Sequence, residues 1–144
     1  MRTSCVESWV VAQDAKAKWL APYAWEEVTL LNARLCAAKN AVHKPTSDGH
    51  EAARALWERS RESDLTLEEA LVICFECHRL APFCFFNGNT FVAIARGMIR
   101  PILERLVTDS ESLRAAAFRA IVGHYVAGTE GLHELRAAIR EVRG

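Results

Sequence analysis

Long apolar runs are missing from this sequence. No stretch approaches the roughly 18 apolar residues that a helical membrane span requires, so no membrane partner is expected. An excess of either charge is missing too, because Lys plus Arg and Asp plus Glu number 18 each. That balance offers no bulk attraction to nucleic acid or to an anionic lipid surface. Gly and Pro are sparse, at seven and four, and fall mostly between helical patterns as punctuation. Repeats, low-complexity tracts and long linkers are absent. The opening stretch, "MRTSCVESWVVAQDAKAKWLAP", lacks the long apolar core and small-residue cleavage site of a secretory signal. A cytoplasmic protein is therefore expected. Its five cysteines, an odd number, read as reduced thiols placed mostly in the core.

Helical periodicity is what the sequence does have. With 144 residues, 51% of them apolar, the chain suits one domain with a real core. Residues 4–20 predict a first helix on Val6, Trp9, Val10, Ala17 and Leu20, closed by Pro22. Residues 24–42 predict a second, with Val28, Leu31, Leu35 and Ala38 on one face and Glu26, Asn32 and Lys39 elsewhere. A loop of turn formers, "HKPTSDG", leads to a third helix over 50–62 with Ala53, Leu56 and Trp57 inward. Thr66 and Glu69 form a capping box that starts a fourth helix at Leu67, and Pro82 stops it near Leu80. A fifth starts after Asn89 as its N-cap, and Pro101 kinks or restarts it. A sixth runs from near Asp109 to Gly128 and a seventh over 130–142. "FCFF" is too short to trust as a strand. The expectation is an all-α single globular domain of six to seven helices, mostly antiparallel neighbours.

Three constellations bear on chemistry. In "CFECH", Cys74, Cys77 and His78 share a helical face, and Cys84 lies close in sequence. The spacing is that of haem c attachment, and Met98 could be a second axial ligand; four such ligands would also suit zinc. The favoured reading is a core face of Leu71, Cys74, Cys77 and His78, without metal or haem. His50 and Glu51, adjacent on a helix, point apart and read as first-turn residues. The third constellation is "LAPFCFFNGNT". Asn87, Gly88, Asn89 and Thr90 set backbone N–H groups at a helix start, a natural place for a phosphate. Arg96 and Arg100 follow on that helix. Phe83, Phe85 and Phe86 could floor a pocket for a flat ring. The alternative is a capped helix behind an aromatic plug.

This order of parts resembles the Fic/Doc (Fido) superfamily, in which a helix leads into a His-Pro-Phe-x-x-Gly-Asn-(Gly/Lys)-Arg loop and a second helix. The resemblance spans about 35 residues. Laid without a gap, Pro82, Phe83, Asn87 and Gly88 match, while Ala81 stands at the His, Phe85 at the acidic metal-binding position, Phe86 at the first Gly and Asn89 at the Arg. With one residue inserted, Gly88 and Asn89 match Gly-Asn and Asn87 replaces the acid. The flanking "LEEALVICFECHRL" and "FVAIARGMI" also look like the family's helices. The resemblance implies a loop that binds nucleotide phosphates. It also implies loss of the usual transfer chemistry, because the catalytic His, the acid and the first Arg are gone. His78 lies one turn before Ala81, and a base must reach the proton it removes, so no catalytic residue is assigned.

The first functional expectation is a non-catalytic helical interaction or regulatory domain with a protein partner, Fido-like in descent, whose four Trp could mark a docking surface. The second is a Fido-like protein that binds a nucleotide or phosphate ligand through residues 81–90. The third is the Cys/His metal or haem site at 74–78.

Overall fold

The helical patterning becomes seven helices in the computed structural model, which describes residues 15–106 and 112–143. They are α1 (Trp25–Ala38), α2 (Gly49–Arg61), α3 (Leu67–Leu80), α4 (Asn87–Met98), α5 (Arg100–Leu106), α6 (Ser112–Ala127) and α7 (Leu132–Arg143). Among the described residues there is no strand, only two isolated antiparallel bridges, Ala17 with Leu65 and Pro45 with Phe83. The class is all-α, as the periodicity predicts. No helix of the described residues is long and apolar enough to cross a membrane.

Most of the expected helix over 4–20 lies outside the described residues, and its described end is not helical. Ala17 exchanges two 2.8 Å backbone hydrogen bonds with Leu65. That pairing holds the segment extended, and a turn then delivers Leu20 to the core. α1 stops at Ala38, earlier than expected. Asn40 turns left-handed at φ 55, and the N–H groups of Asn40 and Ala41 close back on the carbonyls of Ala37 and Cys36. This is a Schellman ending, with Asn supplying the left-handed residue. The buried face of α1 is also rotated from the expected one. It carries Trp25, Val28, Asn32 and Cys36, while Ala38 is exposed. Asn32 belongs inside because its amide is fully used there, as described below.

α3 begins at Leu67 behind a complete capping box. Thr66 Oγ1 accepts from the Glu69 N–H, and Glu69 Oε1 accepts from the Thr66 N–H. α4 starts two residues before Asn89, and its N-cap is Phe86. Pro101 sits in the first turn of α5, where its missing N–H costs nothing. The expected start of the sixth helix at Asp109 lies outside the described residues. α6 ends where Gly128 takes φ +87.

α4 is the central element and packs against α1, α3 and α6; α2 lies on α3, and α7 on α6. Trp57, Leu71, Phe91, Phe118, Val122 and Leu135 fill the core between them. Burying a side chain such as Phe91 contributes ~1.5–3 kcal/mol. The core therefore fixes the axis of α4, and with it the place where its N-terminus opens.

Candidate functional site

The loop between α3 and α4 is held from three sides. Ala81 leaves α3 in a left-handed conformation at φ 50. On the first side, the 43–46 segment clamps the loop. The Thr46 N–H donates to the Pro82 carbonyl at 2.9 Å, Thr46 Oγ1 to the Ala81 carbonyl at 2.7 Å, and the Cys84 N–H to the Lys44 carbonyl at 3.0 Å. On the second side, Asn87 closes the loop on itself. Its Oδ1 accepts from the Phe83 N–H at 2.9 Å and its Nδ2 donates to the Phe83 carbonyl at 2.7 Å. On the third, buried Asn32 donates from Nδ2 to the Phe85 carbonyl at 2.7 Å and to Thr90 Oγ1 at 3.1 Å. Its Oδ1 accepts from His43 Nδ1 at 2.8 Å. Thr90 Oγ1 in turn donates to the Phe86 carbonyl at 2.7 Å.

This network launches α4 early. The first helical bond runs from the Thr90 N–H to the Phe86 carbonyl, and no side chain caps the start. The N–H groups of Asn87, Gly88 and Asn89 thus precede any intrahelical acceptor, and they carry the positive end of the helix dipole. They open into a cavity of about 1210 Å³ between α3, α4, α5 and α6. Its basic lining comprises His78, Arg79, Arg96, Arg100, Arg119 and His124. Neither Asp nor Glu appears among its described lining residues. Gly88 leaves space at the helix start, because a Cβ there would stand 3.3 Å from His78 Cε1 and Nε2. His78 Nδ1 lies 2.8 Å from the Val126 carbonyl. A carbonyl only accepts, so that nitrogen carries the proton, and the Nε2 edge is left toward Gly88. Burial, then the like charge of Arg119, push the Arg96 guanidinium below its usual pKa.

The expected site residues separate into groups. Asn87, Gly88, Asn89, Arg96 and Arg100 all line the cavity. Thr90 does not: it is fully buried and braces the loop. The three Phe part company. Phe83 enters the core, stacked on Trp25 at 5.9 Å and edge-on to His50, so it is a plug and not a pocket floor. Phe85 points outward at 48% exposure, and Phe86 alone of the three lines the cavity. Alternating directions along one irregular loop explain the split, since its backbone is fixed by Asn87 and Asn32 and not by the rings. Glu51 is exposed in the first turn of α2, and its Oε1 comes within 3.8 Å of His50 Nδ1, so the two side chains do not point apart as expected.

The four sulfur and imidazole groups do not converge. Cys74 and Cys77 are packed in the core, Cys84 is exposed, and His78 edges the cavity and not the core face. No group of three or more metal-ligating side chains gathers among the described residues. Arg79, Arg119 and His124 were not singled out by the sequence. Arg119, Gly123 and Ala127 recur at i, i+4 and i+8 on α6, a small-and-basic stripe that points to a cleft only once its neighbour helix is known. Comparison with protein-family models, with curated proteins and with solved structures found no match to this chain.

Proposed function

We propose that this chain is a non-catalytic, Fido-like domain that binds a phosphate-bearing ligand in the cavity at the start of α4. One observation carries the reading: an uncapped helix N-terminus opens into a cavity whose described lining holds four Arg and two His but no carboxylate. Free N–H groups, a helix dipole and uncompensated guanidinium groups favour an anion together. The ungapped register of the resemblance has support in the backbone. Phe86, which stands at the family's Gly, has φ 62, a conformation that Gly adopts at little cost.

The same register leaves Ala81, Phe85 and Asn89 where the base, the acid and the Arg would act. None of the three supplies an imidazole base, a carboxylate or a guanidinium, so the reading is binding without the usual transfer. A partner protein that senses the ligand fits a regulatory role. Trp25 and Trp57 are in the core and Trp19 packs against it, while Trp9 lies outside the described residues, so none of the three described Trp forms an open docking face. The free buried thiols of Cys36, Cys74 and Cys77 suit a reducing, cytoplasmic setting.

Thermal shift with pyrophosphate, AMP, ATP and GTP, with and without magnesium, tests the reading. A ligand at 100 times its Kd stabilises the fold by about 2.7 kcal/mol, a rise of several degrees in Tm. Gly88→Ala is the matched control. Ala is ordinarily ~0.8–1.0 kcal/mol better than Gly inside a helix, so the variant should fold, but its methyl intrudes between the helix start and His78. The expected result is a ligand shift in the wild type that is largely lost in the variant. No shift with any of these ligands in the wild type would sink the reading.

A further inference from the structure

We infer that Arg96 and Arg119 form a second anion subsite, so that the cavity takes a ligand with two phosphate-type groups set apart along α4, not a single phosphate. This inference rests on the binding reading above and adds the class of ligand. Arg96 comes from α4 and Arg119 from α6, both line the cavity, and Arg119 is near enough for its charge to act on Arg96. Gly123, one turn beyond Arg119, makes room for the Arg96 guanidinium. A Cβ at that position would stand 2.5 Å from Arg96 Nη2 and 3.0 Å from its Cζ. Arg96 Nε is buried with no hydrogen-bond partner.

Neither arginine pairs with a carboxylate among the described residues, whereas Arg136 takes both oxygens of Glu68, and Lys18 meets Asp64. Partial burial of Arg96 beside the like charge of exposed Arg119 is unfavourable, and an anion between them offsets that cost.

The two subsites are distinct in space. Gly88 and Arg96 are eight residues apart on one helix, ~12 Å at 1.5 Å per residue. Arg side chains lean back toward the helix N-terminus, which shortens the gap without closing it. Hydrogen bonds reach only ~3 Å, so a longer anion spans both ends better than one orthophosphate does. Small residues keep the cavity floor low: Ala93 between the two ends on α4, and Gly123 and Ala127 on α6. A chain of phosphates, or a ligand phosphorylated at two places, matches this spacing.

Isothermal titration with orthophosphate, pyrophosphate and tripolyphosphate, at one ionic strength, separates the possibilities. Tripolyphosphate should bind the wild type at least about tenfold more tightly than orthophosphate, the gain from one further charge-assisted contact. Arg119→Gln should abolish most of that gain and change orthophosphate binding little. Arg119 is exposed, so the variant should fold, and circular dichroism checks that it does. Arg140→Gln, exposed on α7 and outside the cavity lining, reports the effect of bulk charge and should leave the gain intact. Equal affinity for the three anions would overturn the second subsite while leaving the binding reading in place. So would an equal loss in both variants. Binding of none of them would overturn the binding reading itself.

Discussion

Among the described residues, three non-glycine residues stand in the left-handed region, Asn40, Ala81 and Phe86, and they mark where local structure and tertiary demand diverge. Asn tolerates that region because its side chain bonds locally, so Asn40 is a natural helix ending. Ala has no such compensation, and the conformation costs ~1–2 kcal/mol. Ala81→Gly should relieve it, less ~0.4–1 kcal/mol for the looser unfolded chain. The expected net gain is roughly 0.5–1 kcal/mol, read as a higher urea midpoint at unchanged m. A lower midpoint would mean that Ala81 is not held left-handed in solution. Both strained residues flank the candidate site, and neither was legible in the sequence. Nothing beside Phe86 announces a positive φ. It follows from Asn87 locking Phe83 and from Asn32 reaching the loop from another helix.

Among the elements, those defined by local chemistry were the most legible. α3 came through with both ends intact, because a capping box starts it and a Pro two residues on forbids its extension. α1 starts where expected but ends short of residue 42 and is rotated, since Asn32 becomes a core residue only through the loop it braces. The junction of α2 with α3 was invisible to pattern reasoning and is sterically severe. A Cβ on Gly49 would lie 1.8 Å from the Leu80 carbonyl oxygen and 2.7 Å from that of Ala81. Gly→Ala near a helix start is usually mild. Here both obstacles are backbone atoms, so α2 must move away from the end of α3 and the site loop. Gly49→Ala should destabilise by about 3 kcal/mol or more, at the upper end of overpacking effects. It should also blunt the response to pyrophosphate, because the same shift disturbs Ala81. A variant as stable as the wild type would show that the helices can part at that junction without loss.

At the scale of the whole molecule, charge neutrality conceals a strong asymmetry. The cavity cations come from α3, α4, α5 and α6, and they gather only when the helices pack. The core has the opposite character, and its thiols carry a pH signature of the fold. Burial pushes the Cys77 thiol from an ordinary 9.0 up to about 12, and raises Cys74 further, with Cys77 adding to the effect. Tyr23 and Tyr125 are shifted the same way, chiefly by burial. Each of these groups keeps its proton in the folded state at a pH where the unfolded chain has released it. Their contribution is therefore complete below pH 9 and is lost as pH rises toward 12. The slope approaches ~1.4 kcal/mol per pH unit for each buried thiol. Urea midpoints measured at pH 8, 9, 10 and 11 should fall steadily above 9, and Cys77→Ala should lessen the fall by about one thiol's share. Exposed Cys84 should react with a thiol reagent in the native protein at pH 8, while Cys36, Cys74 and Cys77 react only on unfolding. Stability that stays level from pH 8 to 11 would mean that these thiols ionise within the folded chain, which a dry core between α3 and its neighbours does not allow.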